Sequence, residues 1–124
     1  MRTWLTLGAL SGFIAVALGA FGAHGLQARV PQARLDTFEI GARYQMYHAL
    51  ALLAVAWAAS WSQSSLVNAA GWAFLIGTIL FSGSLYYLGL TGSRALVLVT
   101  PMGGAAFLLG WLCLAILGFR STGG

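Results

Sequence analysis

Residues 54–74 read AVAWAASWSQSSLVNAAGWAF, and the polar knot in the middle of that stretch decides how the chain is divided. Between Arg43 and Arg94 lie 50 residues without one formal charge (94 − 43 − 1 = 50). A bilayer-crossing helix uses about 20 residues, so this interval is too long for one crossing and right for two. Ser60, Ser62, Gln63, Ser64 and Ser65, followed by Asn68, supply the turn between them. A link this short makes the two helices antiparallel neighbours, and the spacing predicts spans over residues 39–61 and 67–90.

Working outward, residues 3–23 carry no charge and form a first span. A cleaved leader is the rival reading of that stretch, but its apolar run exceeds the roughly 7 to 15 residues of a leader core. Thr91, Gly92, Ser93 and Arg94 mark the next turn, and a fourth span follows over 96–119, with Pro101 near its start where a missing N–H costs little. The connector from His24 to Phe38 holds Gly25, Arg29, Pro31, Arg34 and Asp36. A helix begins after Pro31 at the interface and runs on into the membrane. The fold expected is all-α: an integral membrane four-helix bundle with short connectors and one transmembrane domain over residues 1–124.

Composition excludes the alternatives. Of 124 residues, 60% are apolar and 6% charged, against about 25% charged in soluble domains, so no soluble domain fits. The net charge of +4 comes from six scattered arginines against Asp36 and Glu39, which form no patch for nucleic acid. Cys113 has no intrachain partner for a disulfide. Four spans put both termini on one side, with Trp4, Trp57, Trp61 and Trp72 near that face and Tyr44, Tyr47, Tyr86 and Tyr87 near the other, as interfacial belts do. Trp111, deep in span four, is the exception. Arg29, Arg34, Arg43 and Arg94 outnumber Arg2 and Arg120, and the positive-inside rule then turns both termini outward.

Small residues at Gly8, Gly12, Ala15, Gly19 and Ala23 repeat along span one, and Gly103 and Gly104 open span four. In lipid such residues let helix backbones approach. The polar side chains that could carry chemistry gather toward one face: His24, then Glu39, Arg43, Tyr44, Gln45, Tyr47 and His48. Glu39 and Arg43, Arg43 and Tyr47, and Tyr44 and His48 are each four apart, so they are helical neighbours. At interfacial depth such residues serve mainly to snorkel, and the imidazoles to bond to adjacent helices. Two histidines at one depth could in principle hold haem iron, but the ligand count is too low for a closed metal site. No nucleophile is matched to a base, and the glycine runs lack the lysine and strand of a nucleotide loop. No catalytic residue, metal or cofactor is assigned, and the chain is not expected to be an enzyme.

Four segments carry a family resemblance: GAFGAHGL at 19–26, RYQMYHALALL at 43–53, LFSGSLYYL at 80–88 and TPMGGAAFLLGW at 100–111. In that order they resemble the hallmark segments of the domain of unknown function 423 (DUF423) family, to which animal transmembrane protein 256 is also similar. The resemblance implies a small four-helix integral membrane protein, in the bacterial inner (cytoplasmic) membrane for most members, and no established reaction. The expected role is non-enzymatic: a scaffold, an accessory subunit or a homo-oligomer, with the lipid bilayer and a possible membrane-protein partner as its surroundings. A small transporter or channel, or a subunit binding haem or quinone at the polar cluster, is the alternative.

Overall fold

The computed structural model describes residues 1–123, and they are helical in four rods. Helix α1 (Arg2–His24) ends at Gly25, whose N–H returns to the Phe21 carbonyl at 2.7 Å. A short 3-10 turn, Leu26–Ala28, leads to Pro31, which has no N–H to leave unbonded and precedes α2 (Gln32–Ala59). At 1.5 Å per residue, α2 is about 42 Å long. The serine-rich turn ends at Ser64, whose hydroxyl accepts the Leu66 N–H at 3.2 Å and caps α3 (Ser65–Gly77). A π turn, Thr78–Ser82, continues α3 into α4 (Gly83–Thr91), so that residues 65–91 form one rod. Gly92 ends it with φ +74, the left-handed conformation that favours glycine. Arg34 of α2 donates to the Gly89 carbonyl at 3.1 Å and the Leu90 carbonyl at 2.6 Å, placing its cation where the helix dipole is negative. The last rod is α5 (Val99–Gly123).

Each rod runs antiparallel to the one before it. A Cβ on Gly8 of α1 would lie 3.0 Å from Leu52 of α2, and one on Gly22 would lie 3.2 Å from Phe38. The 65–91 rod and α5 lock by aromatic rings laid on glycines in both directions, Phe74 on Gly110 and Phe107 on Gly77, with Gly103 against the Phe81 backbone. Trp4 covers Gly71 and donates to Asn68 at 2.9 Å, joining α1 to α3. The larger core cluster, including Leu52, Val55, Ala70 and Phe74, lies toward the serine-turn end. A second, of Leu26, Leu35 and Phe38, lies under the long connector. Between α2 and α5 the backbones stay apart, and the contact is made by long side chains.

Three stretches, Arg2–Ala28, Ser65–Thr91 and Val99–Ser121, are long and apolar enough to cross a membrane. Helix α2 does not meet that measure, because Arg34, Asp36, Glu39 and Arg43 crowd its first half and Gln45 and His48 follow. The small-residue series also needs correcting. Residues four apart on a helix of about 3.6 residues per turn advance past a full turn by about 40° each time, so the series drifts off the contact face. Gly8 and Ala15 are buried, Gly12 and Gly19 are half-buried with their nearest α2 atoms 3.7 and 4.0 Å from a Cβ, and Ala23 is exposed. Trp4, Ser11 and Gly22 complete the buried stripe instead. Of the pair in α5, Gly103 packs and Gly104 does not: a Cβ there would meet nothing within 4 Å.

Candidate functional site

Gln45 stands 13 residues from the start of α2 and 14 from its end (45 − 32 and 59 − 45), so it sits at the middle of the bundle. It is 5% exposed, and its amide joins three rods. The Nε2 group donates to the Ser11 carbonyl at 3.1 Å and approaches the Ser11 hydroxyl at 3.3 Å on α1. Its Oε1 accepts the Tyr86 hydroxyl of α4 at 2.5 Å. One turn toward the connector, Ser82 donates to the Gly41 carbonyl at 2.7 Å, and on the α5 side Ser84 meets Thr100 at 2.5 Å. Buried amides and hydroxyls are costly unless bonded, and here the bonds run between helices.

His48, three residues on, points the other way and bridges α2 to α5. Its ring lies parallel to Phe107, centroids 3.5 Å apart. Nδ1 is 2.7 Å from the Tyr44 carbonyl and Nε2 is 3.1 Å from the Trp111 indole nitrogen. A carbonyl only accepts and an indole N–H only donates, so the neutral tautomer with its proton on Nδ1 is fixed. Both ring nitrogens are thereby spent, and ligating haem iron through Nε2 would require breaking the bond to Trp111.

Of the remaining expected residues, Tyr44 and Tyr47 stay beside His48, whereas His24, Glu39 and Arg43 do not join Gln45 and His48. Antiparallel pairing of Gly8 with Leu52 and of Gly22 with Phe38 places His24 level with Asp36, twelve residues or about 18 Å along the axis from His48. The two histidines are not at one depth, because α2 begins seven residues before residue 39. His24, Arg43, Tyr44 and Tyr47 are exposed and Glu39 is half-buried. Among the described residues Glu39 and Arg43 form no ion pair. Gln45 and His48 are at mid-length of their helix rather than at its mouth, so the expected interfacial cluster divides into a buried centre and an exposed rim.

The open space lies between α2 and α5. A cleft of about 470 Å³ is bordered by Tyr44, Tyr47, Phe81, Phe107 and Trp111, with His48 at its wall and Gly104 at its floor. A second cavity of about 290 Å³ follows along the same seam, lined by Ala54, Trp57, Trp61, Leu114 and Gly118 among others. A further space of about 280 Å³ between α1 and the 65–91 rod passes Ser11, Gln45 and Thr78. Thr78, first residue of the π turn, has a buried hydroxyl with no hydrogen-bond partner. Ser11, Thr78, Phe81 and Phe107 are given no role by the sequence, and Trp111 stands out there only as the tryptophan away from the interfaces. Ser11 carries a signal, since it follows Gly8 at helical spacing, and Thr78 carries none, because a π turn shifts the face after it by one residue.

Residues 18–104 match the family model described as "Protein of unknown function (DUF423)". The chain is 46% identical to a UPF0382 membrane protein of Staphylococcus aureus (strain bovine RF122 / ET3-1), over 99% of this chain and all of that one. It is 44% identical to the UPF0382 membrane protein YwdK of Bacillus subtilis (strain 168), over 94% of this chain and 95% of that one. A UPF0382 membrane protein of Haemophilus influenzae is 47% identical, over 95% and 94% of the two chains. No solved structure matches the chain. With three helices apolar enough for a bilayer and bacterial relatives named as membrane proteins, it is an integral membrane protein, consistent with a bacterial inner membrane. The match spans most of the chain and the relatives cover nearly all of it, so the chain belongs to the DUF423 family of membrane proteins.

Proposed function

We propose that the protein crosses the bilayer four times and acts as a non-enzymatic membrane subunit, working by association with copies of itself or with another membrane protein. The observation that carries this reading is the use made of polar side chains at mid-length. Gln45, Tyr86, His48 and Trp111 each bond to another rod, which leaves them as fasteners rather than as free acids, bases or ion ligands. An ion or proton pathway calls for ionisable groups facing a watery interior, and Arg43, the charged residue nearest the middle of α2, is exposed on the outside of the bundle.

Helix α2 serves as the fourth span despite its composition. It sits among the apolar rods, burying Leu52, Val55, Ala56 and Ala58 at one end and Leu35 and Phe38 at the other, and its polar groups are answered by neighbours. Such a helix need not be apolar all round, since polar groups at membrane depth are tolerated where protein satisfies them. Four crossings leave both termini on one face, and four arginines against two turn that face outward. Association is tested by native mass spectrometry after extraction in mild detergent. The expected result is a discrete particle of defined stoichiometry, above the 13.0 kDa of one chain. A uniform monomer free of other protein would contradict it.

A further inference from the structure

Beyond that reading, we propose that the seam between α2 and α5 binds a neutral, flat, oxygen-bearing ring carried on an apolar tail, a molecule of the quinone class. Four features of the seam select it. The head cleft, about 470 Å³, falls in the range of ligand pockets, and no charged side chain borders it, so a charged ring would go uncompensated. Its walls are aromatic: Tyr44 and Phe81 lie 5.0 Å apart by ring centroids and Phe81 and Phe107 5.4 Å. Faces and edges of that kind pack on a flat conjugated ring.

Two phenols without a hydrogen-bond partner among the described residues border the head cleft. The hydroxyls of Tyr44 and Tyr47 donate to no group among the described residues, whereas His48 donates to the Tyr44 carbonyl and Trp111 to His48. Two free phenols fit a ligand that brings acceptor oxygens. From the cleft the seam continues into the second cavity, whose lining is almost wholly apolar and ends near Trp61 and Ser121. Head and tail spaces therefore follow one another along α2 and α5, with the two tyrosine hydroxyls at the head. The floor of the head cleft is Gly104, where a Cβ would meet nothing within 4 Å, so the gap is not closed by packing.

The test uses the full chain in phosphatidylcholine nanodiscs, with a decyl-substituted benzoquinone as probe and decylbenzene as the oxygen-free control. Melting temperature and quenching of tryptophan fluorescence are both followed. The wild type should show saturable stabilisation and quenching by the quinone that decylbenzene does not match, and Trp111→Phe should lose most of the saturable quenching. Gly104→Leu, which fills the floor, should weaken binding at least about tenfold while melting like wild type without probe. Tyr44→Phe with Tyr47→Phe, which keeps the rings, should weaken it about tenfold for the lost hydrogen bonds. If Gly104→Leu lowers stability by itself, the tyrosine pair decides. Equal effects of quinone and decylbenzene, non-saturating quenching, or undiminished binding in the deciding variant would each overturn the proposal.

Discussion

Gly103 and Gly104 are neighbours in sequence and opposites in surroundings. Gly103 faces the 65–91 rod, where a Cβ would be driven into the Phe81 backbone, and Gly104 faces the α2 side, where a Cβ would touch nothing. The same division runs down α5. Phe107 and Gly110 interlock with Gly77 and Phe74, while Leu108 and Trp111 border a cleft whose α2 side is made of Tyr44, Tyr47 and His48, with His48 bonded across it to Trp111. One seam is closed by backbone approach and the other is held open by a single polar bridge. In a bilayer, where lipid is as apolar as a leucine core, close packing is what draws helices together. The α2–α5 seam lacks that close packing beside Gly104.

The sharpest way to break the contrast is a matched pair of variants. Gly103→Leu should destabilise the purified protein by about 3 kcal/mol or more, since overpacking against backbone cannot relax. Gly104→Leu should stay within about 0.5 kcal/mol of wild type, as surface changes do. Equal losses in detergent melting would erase the distinction between the seams. Next in size is Gln45→Leu, which strands the Tyr86 hydroxyl in the closed interior and should cost about 1–3 kcal/mol. A double variant with Tyr86→Phe should recover part of that loss, and a simple sum of the two single effects would mean that the amide and phenol do not meet.

Thr78→Val probes the one buried hydroxyl without a partner among the described residues. Because that hydroxyl is desolvated for no bond, its removal should raise stability by up to about 1 kcal/mol. A clear fall in the melting temperature would show that the hydroxyl is bonded in the working protein. Smallest is Arg43→Gln at the exposed rim. With no ion pair to Glu39, it should shift stability by less than about 0.5 kcal/mol, and a larger loss would extend the held-together region to the rim.

The number of helices and their turns were legible because they depend on local chemistry. Charge-free runs, the Ser60 to Ser65 knot and Gly92 each declare themselves without reference to the rest of the chain. The helix beginning after Pro31 was legible too, and α2 starts there at Gln32. Reading Arg34, Asp36 and Glu39 as interface nevertheless puts Gln45 and His48 near the mouth of a span, whereas they stand at mid-length of the helix and Arg34 bonds to the Gly89 and Leu90 carbonyls. The small-residue stripe was found in outline and misplaced in detail, since a four-residue count drifts from a 3.6-residue helix and exchanged Gly22 for Ala23. What separates Gly103 from Gly104 is which neighbour each faces, and that is decided by tertiary packing of Phe81 and α2. No local pattern records it.

Both seams run through the bilayer lengthwise only if α2 is itself a crossing, and that is the account's central claim. Single cysteines at Gln27, exposed in the connector before α2, and at Ser64, in the turn after it, can be labelled in intact cells with a membrane-impermeant maleimide in a Cys113→Ala background. The account predicts that Ser64→Cys, in the turn on the terminal side, labels from outside, and that Gln27→Cys labels only after the membrane is opened. Labelling of both from the same side would remove α2 as a span and contradict the four-crossing bundle.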